Sequence, residues 1–216
     1  MIYNFDFWLT TYCQAKCRSC ARTNQETGAT ESWLTPSHMK LDTFKNRLNG
    51  FPHKIGYIQF CGEMGDPCMH PQINEFVETS LEYTNDVHIL TNGGLRQPEW
   101  YKELAFKYTN FRGIRTGVSF KFAVDGTDHD TNWLYREGVD FERAYKNMEA
   151  WFTYGGRGAW HFLIFDWNWH QIPEAVRMAK EINAELNIKF NTRSFGKITE
   201  ENKKHAVELL KEFYVE

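Results

Sequence analysis

Short apolar runs alternate with amphipathic stretches along the whole chain. Runs of strand character cover 3–10, 55–61, 86–91, 115–124, 160–166 and 187–193. After each of them apolar residues recur at spacings of three and four, the mark of a helix with one buried face. These stretches predict helices over 36–49, 71–84, 98–109, 140–153, 172–184 and 199–213. The period is clearest in 140–153, where Phe141, Ala144, Tyr145, Met148, Trp151 and Phe152 fall on one side. Thr35-Pro36 reads as an N-cap followed by Pro at the first helical position, and Pro71, Pro98 and Pro173 also open helical patterns. Proline suits a first turn because its missing N–H has no partner there in any case.

Six strand–helix units in 216 residues predict an α/β fold with parallel strands and right-handed crossovers. The fourth strand says more. Thr116, Val118, Phe120, Phe122 and Val124 share one face; Arg115, Gly117, Ser119, Lys121 and Ala123 share the other. Helices should cover the apolar face, which turns Ser119 and Lys121 toward the interior. In the sixth strand Lys189, Asn191 and Arg193 alternate with Ile188, Phe190 and Thr192 in the same way. A closed eight-stranded barrel fills its lumen with branched apolar side chains. A polar lumen instead predicts an open barrel around a polar ligand. The competing reading, an antiparallel strand with one wet face, fits the strand–helix alternation less well.

Composition narrows the function. The chain is 42% hydrophobic and 25% charged, ordinary for a soluble globular domain. A net charge of −3 with no basic block argues against a large phosphate-neutralising surface, and so against nucleic acid as a partner. No apolar run is long enough to span a membrane. The N-terminal apolar stretch contains Asp6 and has no basic leader, so it reads as a strand and not a signal peptide. Five Cys, three of them within eight residues, argue for metal or redox chemistry in a reducing cytoplasm and against a disulfide framework.

Four loops carry the candidate chemistry. "CQAKCRSC" follows the first strand, "GEMGDP" the second, "TNGG" ends the third and "DGTDHD" follows the fourth. In a parallel sheet all four lie at the carboxyl end, where such folds build their sites. The three thiols Cys13, Cys17 and Cys20 suit a soft metal or an iron–sulfur cluster. A structural zinc site would need a fourth ligand, available from Cys61, Cys68, His38 or His70. A catalytic centre would instead leave a position open.

The spacing Cys13-x3-Cys17-x2-Cys20 after a first strand resembles the signature of the radical S-adenosylmethionine (radical SAM) superfamily. In that family three Cys ligate three irons of a [4Fe–4S] cluster, and the fourth iron is chelated by SAM. "MGDPCMHP", 64–71, resembles the family's GGEP-type turn, with Gly65, Asp66 and Pro67 in its last three positions and Met64 in place of the first Gly; the resemblance sets this turn against the SAM amino group. "LTNGG", 90–94, resembles the end of the family's third strand and brings in Thr91 and Asn92. "FAVDG", 122–126, resembles the region that meets the SAM ribose and carboxylate. Ala123 stands where relatives often have Ser, which puts Ser119 or Lys121 forward as the polar contact. Arg136 matches a frequent Arg suited to the SAM carboxylate. Ser19 occupies the position before the third Cys, where relatives often have an aromatic against the adenine. Asn191 and Arg193 would complete a polar lumen around SAM or substrate.

The resemblance runs through about residues 1–195 and implies a partial (β/α)6 TIM-like barrel, as one domain over 1–216. It implies an enzyme that reductively cleaves SAM to a 5′-deoxyadenosyl radical for hydrogen abstraction, with an electron donor such as flavodoxin or ferredoxin. The core looks closest to members that carry SPASM or twitch extensions, but no Cys follows Cys68, which argues against an auxiliary cluster. Peptide or protein, nucleotide and small metabolite all stay open as substrate, either small or presented by a partner protein. Two rivals are a zinc-binding interaction module and a non-catalytic SAM- and cluster-binding partner subunit.

Other segments have plainer readings. Cys61 and Cys68 read mainly as small buried hydrophobes, and "DGTDHD" as a solvated loop lacking the spacing of a calcium loop. The aromatic stretch 160–171 suits a pocket wall and a core equally. The polar stretch 21–34 suits a lid.

Overall fold

Alternating faces build one sheet. The computed structural model describes residues 1–109 and 117–214. Six strands, β1 (Ile2–Phe7), β2 (Lys54–Phe60), β3 (Asp86–Thr91), β4 (Gly117–Ala123), β5 (Arg157–Ile164) and β6 (Glu185–Phe190), pair in sequence order. All five pairings are parallel. β1 and β6 stand at the two ends of that order, so the sheet is an open partial barrel, as the chain pattern predicts. Among the described residues seven helices follow the strands, two of them between β4 and β5: α1 (Leu41–Asn49), α2 (Ile73–Leu81), α3 (Pro98–Thr109), α4 (His129–Tyr135), α5 (Phe141–Thr153), α6 (Ile172–Glu181) and α7 (Glu200–Tyr214). Among the described residues no helix is long and apolar enough to cross a membrane.

The core lies between the helices and the outer sheet face. Phe120 and Phe122 of β4 are wholly buried, stack on each other, and meet Tyr101 of α3 and Trp151 and Phe152 of α5. The opposite face of β4 holds Ser119 and Lys121 toward the lumen. Ser119 Oγ lies 2.6 Å from His88 Nδ1, and Lys121 Nζ donates to Gln59 Oε1 at 3.0 Å. Arg115 and Thr116 of the predicted strand lie outside the described residues.

Three expectations need correction. The first helix begins at Leu41, not Pro36. Residues before it run beside residues 9–11, just ahead of the cysteine loop, with an isolated bridge between Thr10 and His38 and Met39 N–H donating to Leu9 O; pairing with that segment outweighs the local helix signal. "DGTDHD" is a solvated loop only in part: Asp128, His129 and Asp130 are exposed, but Asp125 is fully buried and Asp128 caps α4 by accepting the Thr131 N–H at 2.7 Å. β6 ends at Phe190, so Asn191 and Arg193 follow the strand. The aromatic stretch proves to be mostly core. Trp160, Phe162 and Phe165 are fully buried, and Trp160 donates its indole N–H to Val124 O.

The two-faced strand gives a stability test. Phe120→Ala should destabilise the fold by about 3–5 kcal/mol through transfer and cavity terms. Ser119→Ala, on the lumen face, should cost only about 1 kcal/mol for one hydrogen bond. Urea titrations of the two variants compare them directly.

Candidate functional site

The cysteine loop is pinned from both sides. Lys16 and Arg18 donate their backbone N–H to Glu137 O and Tyr135 O, at the C-terminal end of α4. On the other side Asp66 N–H donates to Tyr12 O at 2.9 Å. That contact depends on Gly65, where a Cβ would stand 2.3 Å from Thr10 O and 2.7 Å from Tyr12 O. Within the loop Cys20 N–H donates to Cys17 O, and Ser19 holds a left-handed φ of 64° with its N–H on Gln25 Oε1. Residues 23 and 30 form an isolated antiparallel bridge, so part of the polar stretch 21–34 folds back on itself beside the cysteines.

Asp66 joins the turn after β2 to the end of β3. Its buried carboxylate accepts the Cys68 N–H, the Thr91 hydroxyl and the Asn92 N–H, at 2.8–3.0 Å. Burial pushes its pKa up, and the hydrogen bonds only partly offset that. Asn92 continues the chain of contacts, exchanging amide bonds with Gln14 and directing Nδ2 at Cys13 Sγ, 3.6 Å away. On the far wall Asp125 accepts Arg136 Nε at 2.6 Å and Leu163 N–H at 2.7 Å. Arg136 Nη1 then reaches Cys17 Sγ at 3.7 Å. Burial opposes the Arg136 charge, but Asp125, Cys17 and Tyr135 together outweigh it and its pKa rises.

These elements enclose a cavity of about 470 Å³, within the range of small-molecule sites. Cys13, Cys17, Cys20 and Ser19 line it from the first loop, Asp66, Thr91 and Asn92 from the second and third, and Lys121, Arg136 and Arg193 from the far side. Of the other sequence candidates, Gly65 and Pro67 support the second turn, and Ser119 is bonded to His88 deeper on the lumen face. Asn191 is buried and ties its own turn, donating Nδ2 to Arg193 O and Phe195 O. The cavity wall also includes Cys61, which the sequence offered as a fourth ligand or a small buried residue, and Arg22, Tyr135 and His161, which the sequence reading did not assign. Arg22 stood in plain view in the run "CRSCAR". His161 was masked by its apolar neighbours, although it alternates with them.

The donor set fits an iron–sulfur cluster. Among the described residues no three His, Cys, Asp or Glu side chains close on one metal-ion position. A four-iron cluster spreads its thiolates over several irons, and three thiols lining one cavity suit it. Burial, followed by the charge of Asp66, pushes the Cys13 thiol up to about 12, and burial also raises Cys17. A bound metal reverses this by holding each sulfur as thiolate. Asn92 and Arg136 already direct N–H groups at two of the sulfurs. Two of the four zinc partners the sequence offered, Cys68 and His70, are engaged elsewhere. Cys68 is buried under the Tyr101 hydroxyl, and His70 engages Met39 O and Gln72 N–H with its two nitrogens.

A search of curated proteins finds no match. Among solved structures, native anSMEcpe with bound AdoMet is similar at 15% identity and TM-score 0.71, over 100% of this chain and 61% of that one. SuiB from Streptococcus suis bound to S-adenosylmethionine is similar at 14% identity and TM-score 0.68, over 98% of this chain and 47% of that one. Methylornithine synthase (PylB) is similar at 13% identity and TM-score 0.59, covering 98% and 61%. The chain thus spans less than two thirds of each of these proteins, and at such identities the likeness concerns the fold. The family comparison is more specific: the model of the radical SAM superfamily, whose members use a [4Fe–4S] cluster with SAM, matches residues 9–179. The match takes in the cysteine loop and every turn that walls the cavity up to Tyr135 and Arg136, and on it the chain belongs to the radical SAM superfamily.

Proposed function

We propose that this chain is a radical SAM enzyme in which Cys13, Cys17 and Cys20 hold a [4Fe–4S] cluster and the rest of the cavity takes SAM and substrate. The observation that carries the reading is the meeting of three thiols from one loop with the ends of β2, β3 and β4 around one cavity of about 470 Å³. When bound, the cluster supplies the electron that splits SAM into methionine and a 5′-deoxyadenosyl radical able to abstract hydrogen. Thr91 and Asn92 are oriented by Asp66, so they offer fixed polar atoms to SAM. Arg136, already shared between Asp125 and Cys17, borders the cluster side of the cavity. Lys121 and Arg193 add charge to the cavity wall; Arg193 is anchored through the Tyr135 hydroxyl.

The substrate is a peptide, a nucleotide or a small metabolite. Solved structures of this fold include anSMEcpe with bound AdoMet and Cp18Cys peptide, and SuiB bound to precursor peptide SuiA; these favour a peptide, presented by a partner protein or free. A one-electron donor of the flavodoxin or ferredoxin class would supply the reductant.

His161 belongs to the substrate side of the cavity. Burial, then the charges of Lys189 and Lys121, lower its pKa from 6.5 to about 4. It is therefore a neutral imidazole at physiological pH, able to accept or donate one hydrogen bond.

Two tests follow. Anaerobic reconstitution should load about four iron and four sulfide per chain, and dithionite with SAM should release 5′-deoxyadenosine. Cys13→Ala, Cys17→Ala or Cys20→Ala should abolish both. A chain that binds one zinc tightly, or that loads iron and never cleaves SAM, would sink the reading. The second test concerns pH. The unfolded chain protonates His161 below about 6.5 while the folded chain resists until about 4, so the unfolded state binds more protons and stability falls as pH drops through that window. His161→Gln should show a shallower loss between pH 6.5 and 4 in urea titrations.

A further inference from the structure

Arg22 is a buried charge beside the cysteine loop. It follows the third cysteine by two residues and is only 6% exposed. Its Nη2 donates to Thr11 O at 2.9 Å and its Nη1 to Ala15 O at 3.5 Å. Both acceptors flank Cys13 and both are neutral carbonyls. Nε is shut away from solvent with no hydrogen-bond partner. Among the described residues no carboxylate forms an ion pair with it, whereas its neighbours Arg18 and Arg136 pair with Glu137 and Asp125. A buried charge with no counter-charge is destabilising by several kcal/mol unless something anionic compensates it. Arg22 also lines the same cavity as Cys13, Cys17 and Cys20.

We infer that Arg22 is a positioning residue whose charge is completed by the anionic thiolate-bound cluster and which raises the cluster's reduction potential. The inference rests on the proposed cluster site. Three thiolates give the bound cluster negative charge, and one-electron reduction by an external donor adds another unit without moving a proton. A fixed cation in a poorly solvated wall stabilises the reduced form more than the oxidised form, because Coulomb attraction grows with the added charge and is weakly screened there. The potential of such clusters is set by charge, hydrogen bonding and solvent exposure around the sulfurs. Arg136 contributes less to this bias, since Asp125 balances it at 2.6 Å. The two carbonyl contacts give Arg22 a second role, holding the backbone on either side of Cys13 in place.

The test separates the cluster from the charge. Iron and sulfide content and the electron paramagnetic resonance signal of the reduced cluster report whether the site is filled. The midpoint potential, from a redox titration followed by that signal, reports the role of Arg22. Arg22→Gln, loaded as fully as the parent, should shift the reduction equilibrium about tenfold toward the oxidised cluster, or ~59 mV lower for one electron. Arg22→Lys keeps the charge while losing the fork to two carbonyls, and should hold its midpoint near the parent value. That second variant decides the matter if the Gln chain misfolds. A fully loaded Gln variant with an unchanged midpoint, or a Lys variant whose midpoint falls by the tenfold expected for Gln, would overturn the inference. Failure of the parent chain to load any cluster would instead overturn the proposed function beneath it.

Discussion

The buried carboxylate of Asp66 is the constraint on which this end of the molecule depends. It sits out of solvent, and hydrogen-bond donors rather than a cation satisfy it: Cys68 N–H, the Thr91 hydroxyl and Asn92 N–H. Such a group is tolerated in an interior only when its lone pairs are filled. The donors come from two separate segments, the turn after β2 and the end of β3, so the two must be in contact for the charge to be satisfied. Asn92 is fixed as a consequence, and with it Gln14 and Cys13. Gly65 lets the same turn approach the cysteine loop backbone closely.

A second buried carboxylate holds the loop from the other side. Asp125 takes Arg136 on one oxygen and the Leu163 N–H on the other, joining the ends of β4 and β5 to the residue that reaches Cys17. The Asn168 amide closes the same corner by donating to Asp125 O and Leu163 O. Both walls of the cavity are therefore tied by polar groups that are expensive to leave unpaired. This favours one geometry for the thiols before any cluster arrives.

The fold was legible because its strands differ on their two faces. In β4, Val118, Phe120 and Phe122 take the helix side while Ser119 and Lys121 take the lumen, and a period of two in the sequence states that division directly. The element ends were less legible. Pro36 carries a good local helix signal, yet residues 35–39 pair with residues 9–11, a partner far off in sequence. The acidic run "DGTDHD" looked like a wet loop because nothing local reveals that Asp125 has an arginine eleven residues on to neutralise it. The aromatic stretch 160–171 could not be assigned to pocket or core from composition, since both take the same residue types.

By itself the sequence determined the parallel α/β order, the loops that carry chemistry and the three thiols, because periodicity and short-range spacing are local properties. Tertiary structure decided what each site residue touches. It tied two turns together through Asp66, set Ser119 against His88, and made Asn191 the tie of its own turn. It also brought in Arg22 and His161, whose surroundings come from strands and loops far apart in the chain. A side chain's charge state and free hydrogen-bonding capacity follow from burial and from partners, and neither exists until the chain has folded.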